Sequence, residues 1–178
     1  MSASERKPVL IAMAGLPASG KSALARELHK VIGGVLLDKD QVRKFLFQAH
    51  VDYSRQQNDL CVDIMFSAAA YLLAKPAPPP VIVDGRTFSR RYQIEALKNM
   101  ANGLPCRLAI VECICSEKTA EARLRSDSDK HPAKDRDYAM YQASKAAAEL
   151  IEEPTCVVDT DNQTLAQCVD QVLAYLEV

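Results

Sequence analysis

Gly15-Leu16-Pro17-Ala18-Ser19-Gly20-Lys21-Ser22 directly follows the apolar run Val9-Leu10-Ile11-Ala12-Met13-Ala14, and the reading of that junction decides the fold. The eight residues satisfy G-x-x-x-x-G-K-[ST] in full, with Gly15, Gly20, Lys21 and Ser22 at the required places. Glycine lets backbone N–H groups approach an anion closely, and a helix starting at the loop's end adds its own N–H groups and positive dipole end. A lysine there supplies charge to β/γ-phosphates, and the serine hydroxyl can ligate Mg²⁺. An accidental match in a chain of this length is expected at roughly the 1% level. The context lowers that further, because a strand-like run precedes the motif and Leu24, Leu28, Val31 and Ile32 follow at helical spacing, with Gly33 placed to end the helix.

The rest of the chain alternates between strand-like and helix-like stretches, which argues a parallel sheet with crossover helices. Strands are predicted at Val9–Ala14, Val35–Leu37, Val81–Gly85, Leu108–Cys115 and Thr155–Asp159. A helix after Asp40 should carry Val42, Phe45, Leu46 and Ala49 on its apolar face, with Asp40 as N-cap. A longer helix from about Ser54 to Leu73 should turn Cys61, Ile64, Met65, Ala68 and Leu72 inward. Lys75-Pro76-Ala77-Pro78-Pro79-Pro80 reads as a stiff extended connector. Ser89 could cap the next helix, which stops at Asn102-Gly103. A helix starting at Ser116 runs into Arg123-Leu124-Arg125, and a polar stretch from Ser126 to about Asp137 has the composition of a surface loop or lid. A helix over Tyr138–Ile151 and a last one through Leu165–Leu176 complete a single domain spanning 1–178.

With 178 residues, a net charge of −1 and pI near 6.3, the chain is of one-domain size and lacks the basic footprint of a dedicated nucleic-acid binder. The six cysteines have neither C-x-x-C nor zinc-like spacing and read as free thiols of a reducing cytoplasm. Met1 to Lys7 is polar, unlike a signal peptide, no apolar run is long enough for a membrane span, and no segment marks a protein partner.

Asp40 and Arg43 stand one helical turn apart at the carboxyl end of a strand, where open α/β sheets bind ligands. A carboxylate there can take a proton from a hydroxyl, and an arginine can hold the acceptor or a transferring phosphoryl group. Spacing alone weighs this equally against a capping Asp40 and a solvated Arg43, and Asp38 competes for the base role. Asp84 ends an apolar strand, as a carboxylate that orients Mg²⁺ through water would. Arg86, Arg90 and Arg91 follow and could supply an acceptor-side anion contact, although any one of them alone is more often a solvated surface charge. Arg123 and Arg125 enter the polar stretch, where cations would neutralise a phosphoryl group in transfer and a lid would exclude water.

Together these residues resemble the P-loop kinase family that includes polynucleotide 5′-hydroxyl kinases, zeta-toxin-type kinases and chloramphenicol phosphotransferase. The resemblance spans nearly the whole chain. It implies a three-layer P-loop NTPase fold: a five-stranded parallel sheet in the order 2-3-1-4-5, helices on both faces, and a lid over about 124–137. It assigns the general base to Asp40 and the acceptor-side arginine to Arg43. The Asp84-Gly85-Arg86-Thr87 run departs from the family's usual Asp-Ala-Thr. It further implies ATP and Mg²⁺ as cofactors. Nucleotide would be held by Gly15, Leu16, Pro17, Ala18, Ser19, Gly20, Lys21, Ser22 and Ala23 in the loop, with Arg123, Asp159 and Thr160 near the base. Mg²⁺ would sit on Ser22 and, through water, Asp84. Catalysis would rest on Asp40, Lys21, Arg43, Arg123 and Arg125, and a hydroxyl-bearing acceptor would lie among Asp40, Arg43, Asp84 and Arg86. A small molecule is favoured over a polynucleotide as acceptor; an ATPase or switch without an acceptor is the competing class.

Overall fold

A computed structural model describes residues 7–127 and 137–177. Most of the expected lid, with Lys130, Lys134 and Arg136, therefore lies outside the described residues. The chain runs β1 (Val9–Ala14), α1 (Lys21–Ile32), β2 (Val35–Asp38), α2 (Lys39–Phe47), α3 (Arg55–Leu73), β3 (Val81–Asp84), α4 (Arg91–Ala101), β4 (Arg107–Ile114), α5 (Glu117–Asp127), α6 (Tyr138–Ala146), β5 (Thr155–Asp159) and α7 (Leu165–Leu176). All pairings are parallel, and the sheet order is β2-β3-β1-β4-β5. This is the P-loop NTPase arrangement that the resemblance implies.

Alternation along the strands builds the three layers, since successive side chains leave opposite faces of a sheet. Ile11, Met13, Ile82, Val111 and Val158 meet Leu24 and Leu28 of α1 and Val169, Val172 and Leu176 of α7. Leu10, Ala12, Ala14, Val81, Val83 and Ile110 meet Val62, Met65, Ala69 and Leu73 of α3 and Ile94 and Leu97 of α4. The central β1 is covered on both faces, which is why its sequence is apolar without alternation. Its carboxyl end opens between β3 on one side and β4 on the other, the position where the chain's strand order reverses and ligands bind.

Several local expectations are corrected. The N-cap of α2 is Asp38, not Asp40: its Oδ1 accepts from the amides of Asp40 at 2.8 Å and Gln41 at 3.3 Å. The apolar face read for α2 does not turn into the core. Phe45 is 79% exposed and Leu46 is also exposed, while the buried residue of the helix is Arg43. The reason is polar: Arg43 meets Asp40 and Asn58 on the inner side, so its partners fix the helix rotation and only Val42 keeps a packed apolar contact. On α3 the buried face is Cys61, Val62, Met65, Phe66, Ala69 and Leu73, about one residue away from the expected register, with Ile64 exposed. Ser89 does not cap α4. The N-cap position is Arg90, and the first helical amide, of Arg91, donates to Glu149 Oε2 at 2.6 Å. A cap from 58 residues away carries no local sequence signal. The helix that begins at Tyr138 ends at Ala146 rather than Ile151.

Candidate active site

The phosphate loop is the turn between β1 and α1, and two of its glycines are required by geometry. Gly15 has φ +128° and lies so close to β4 that a Cβ would sit 2.3 Å from the Cys113 carbonyl oxygen. Gly20, at φ +92°, occupies the left-handed N-cap position of α1. The loop is tied to its surroundings from both sides. The Gly15 amide donates to the Thr87 carbonyl beyond β3 at 2.8 Å, and the Ser19 amide to Leu16 O at 3.2 Å. Lys21 is buried, and its ammonium donates to Leu16 O at 3.1 Å across the mouth of the loop.

On the β5 side the loop is braced by Thr160 and Arg123. The Thr160 hydroxyl donates to Ser19 O at 2.9 Å and accepts from Arg123 Nη1 at 2.9 Å. Arg123 Nη1 also reaches Ala18 O at 3.1 Å, and its Nη2 reaches Thr160 O at 3.0 Å. Asp159 folds the following turn by accepting from the Asp161 amide and the Asn162 side chain. Arg123 therefore touches the backbone of the loop at Ala18. Arg125 lies on the outer face of α5, ion-paired to Glu121 at 2.7 Å. Neither arginine is among the residues lining the cavity described next.

A cavity of about 480 Å³ opens beside the loop. Lys21 and Ser22 line it together with Asp40, Arg43, Asn58 and Arg86. Arg43 Nη1 donates to Asp40 Oδ1 at 2.6 Å; its side chain is 3% exposed, against 17% for Asp40. The same guanidinium donates to Asn58 Oδ1 and lies 5.1 Å from the Tyr53 ring centroid. Asn58 Oδ1 also accepts from Lys39 Nζ at 3.0 Å, and its amide nitrogen is anchored on the Tyr53 and Ser54 carbonyls. Burial pulls the Lys39 ammonium below its ordinary pKa; Asp40 opposes this, and Arg43, Lys21 and Arg86 add to it.

Asp38 and Asp84 end the adjacent strands β2 and β3 in register. Burial first, and the Asp84 charge second, push the Asp38 carboxyl above the usual range, against the two amides that donate to it. Asp84 is 2% exposed, and its Oδ1 has no hydrogen-bond partner among the described residues. A buried, unsatisfied carboxylate oxygen is costly unless it meets a cation or water. Mg²⁺ takes few protein ligands and keeps waters and phosphate oxygens. With the Ser22 hydroxyl at the start of α1, Asp84 fits such a site.

The structure thus brings Lys21, Ser22, Asp40, Arg43 and Arg86 to one cavity, which Gly85, the residue after the buried Asp84, also lines. It adds Lys39, Tyr53, Asn58, Asp59 and Tyr92, which the sequence reading missed. The available signal was the polar Asn58-Asp59 pair at the start of an otherwise apolar helix, one turn after its Ser54 cap.

Comparison with known proteins places the chain further. The family described as "AAA domain" matches residues 10–154, from β1 to just before β5. No curated protein matches the chain. Among solved structures, a chain from Chloroflexus aurantiacus j-10-fl, provisionally assigned as a kinase, is similar with a TM-score of 0.76 at 21% identity, covering 95% of this chain and 98% of that one. A gluconokinase from Sinorhizobium meliloti 1021 is similar with a TM-score of 0.67 at 21% identity, covering 97% and 94%. The APS kinase of Mycobacterium tuberculosis, determined in complex with AMPPNP and APS, is similar with a TM-score of 0.70 at 16% identity, covering 97% and 99%. At these identities the likeness establishes the fold.

Proposed function

Because the chain belongs to the AAA domain family, we propose that it is an ATP- and Mg²⁺-dependent kinase that transfers the γ-phosphoryl group to a hydroxyl of a small molecule or nucleotide. The observation that carries this is the shared cavity: Lys21 and Ser22 of the phosphate loop face the same space as the Asp40–Arg43 pair. A nucleotide switch has no use for a carboxylate and arginine set opposite its phosphates.

In this reading the loop amides and Lys21 hold the β- and γ-phosphates. Asp40 takes the proton of the acceptor hydroxyl as its oxygen bonds to the γ-phosphorus. The bond from that phosphorus to the β-bridging oxygen breaks, and ADP leaves with the electron pair. Arg43 holds the Asp40 carboxylate in place and lies beside the path of the transferring group, where positive charge is worth most. When bound on Ser22 and, through water, Asp84, Mg²⁺ would neutralise phosphate charge. Arg123, with Thr160, acts as a brace that sets the loop's shape. Arg123 and Arg125 stand at the entrance of the polar stretch, where in this reading cations neutralise the phosphoryl group in transfer. The D-x-x-R segment supports a reading within the polynucleotide 5′-hydroxyl, zeta-toxin and chloramphenicol phosphotransferase group. The reading includes a single domain over 1–178 and, on its six free thiols, a reducing cytoplasmic setting.

The test is transfer of the terminal phosphoryl group from labelled ATP to a panel of hydroxyl compounds, with wild type and Asp40→Asn side by side. Transfer should fall at least about a hundredfold in the variant while ATP affinity stays within about twofold. Wild-type turnover in Asp40→Asn would sink the assignment, and ATP hydrolysis unaffected by any acceptor would favour an ATPase.

A further inference from the structure

The lining of the cavity carries more positive charge than the chemistry at Asp40 requires. Arg55 from the first turn of α3 and Arg86 from the segment after β3 are drawn onto one ring: each guanidinium carbon lies 5.7 Å from the Tyr92 centroid. Asp59 ties them together, accepting from Arg86 Nη2 at 3.0 Å and standing 3.6 Å from Arg55 Nε. Arg86 is largely buried, and its Nε has no hydrogen-bond partner among the described residues. Arg90 adds a third guanidinium at the rim.

Arg43 is matched by Asp40, so it leaves this balance aside. Arg55 and Arg86 then share the one carboxylate of Asp59, and Arg90 lines the same cavity. Like charges repel, and holding Arg86 largely buried with an unmet N–H has a further cost. Tyr92 and Asp59 hold the group in position before any ligand arrives. Preorganised arginines with N–H groups to spare are the protein's means of recognising carboxylates and phosphates.

Resting on the kinase reading above, we propose that the acceptor is a small anionic polyol. Its carboxylate or phosphate ester is held by Arg55, Arg86 and Arg90, and its reacting hydroxyl is presented to Asp40. The volume of about 480 Å³ suits a sugar acid, sugar phosphate or mononucleotide, within the usual span of small-molecule sites. Arg86 and Arg90 are the specificity residues: they bind the end of the acceptor that does not react.

Calorimetric titration of the full chain, preloaded with AMPPNP and Mg²⁺, tests this with matched pairs of probes. Gluconate against sorbitol reads the carboxylate arm, and glucose 6-phosphate against glucose reads the phosphate arm. The anionic member of at least one pair should bind about tenfold or more tightly than its neutral partner. The arm in which this margin appears identifies the anion. Arg86→Gln should remove the margin while AMPPNP affinity stays within about twofold. Should Arg86→Gln fail to fold, Arg90→Gln and the exposed Arg55→Gln are read for the same loss. Equal binding of charged and neutral members, a margin that survives these variants, binding of neither pair, or binding only of a 5′-hydroxyl oligonucleotide each overturn the proposal. Anion-selective binding without transfer sustains this site and counts against the kinase reading. Transfer to neutral polyols alone sustains the kinase and overturns the anionic acceptor.

Discussion

Arg43 holds Asp40 across 2.6 Å from a position that is itself almost sealed from solvent. The two residues are one helical turn apart, yet they differ in what they hold up. Arg43 is enclosed by Asp40, Asn58 and Tyr53, so its removal leaves the largely buried Asp40 carboxylate without this partner and Asn58 Oδ1 with Lys39 alone. Arg43→Gln should therefore cost about 3 kcal/mol of stability, as well as catalysis. Urea denaturation followed by circular dichroism reads the first and phosphoryl transfer the second. A variant that loses activity with unchanged stability would mean that the pair is not a structural one.

Gly15 limits the loop by space as well as by backbone angle. With Cys113 O only 2.3 Å from where a Cβ would stand, Gly15→Ala must move the loop off β4, at about 2–4 kcal/mol. Lys21→Ala should instead weaken nucleotide binding, at least about tenfold, with a smaller effect on the fold. Chemical denaturation and nucleotide titration of the two variants should show opposite rank orders.

The Thr160 hydroxyl is the hinge of the brace between Arg123 and the loop. Thr160→Val keeps the shape and deletes the hydroxyl's bonds with Arg123, Ser19 O and Ile114 O, leaving Ser19 O without that donor. Stability should drop by about 1–2 kcal/mol, and the KM for ATP should rise about three- to tenfold as the loop loses its fixed geometry. An unaltered KM would show that the loop keeps its shape without Thr160.

Glu112 sits inside β4, between Ala14 of β1 and Val157 of β5, and burial alone pushes its carboxyl above the ordinary 4.5. A raised folded pKa means that the native state holds the proton more tightly than the unfolded chain. The stability this provides is complete below about the ordinary value and is lost as pH rises through the raised one. Glu112→Gln should therefore match wild type in acid and become the more stable protein toward neutral pH. Denaturation midpoints measured between about pH 4 and 8 check the sign. A difference that does not vary with pH would contradict it.

How much of this was legible depends on the range of the interaction involved. The loop, the order of strands and helices, the strand-end carboxylates and the Asp40–Arg43 spacing are all written in short stretches with their own periodicity or turn chemistry. The cap of α4 was not, because Glu149 reaches Arg91 from a distant segment. The face of α2 was misread for the same reason. Its apolar residues fit a helical stripe, but Asn58 on another helix decides that Arg43 is the residue turned inward.

By itself the sequence determined that β1 ends in a phosphate-binding loop and that a parallel sheet surrounds it. Glycine placement, Lys21-Ser22 and apolar strand runs act through local backbone geometry and a burial pattern that neighbouring residues share. Only the tertiary structure decided what faces the loop. Arg55, Arg86 and Tyr92 come from three separate segments, and their meeting depends on how α3, the β3 exit and α4 pack. Long-range packing also sets Arg123 on Ala18 O and on the hydroxyl and carbonyl of Thr160, because a guanidinium settles where carbonyl and hydroxyl oxygens satisfy it.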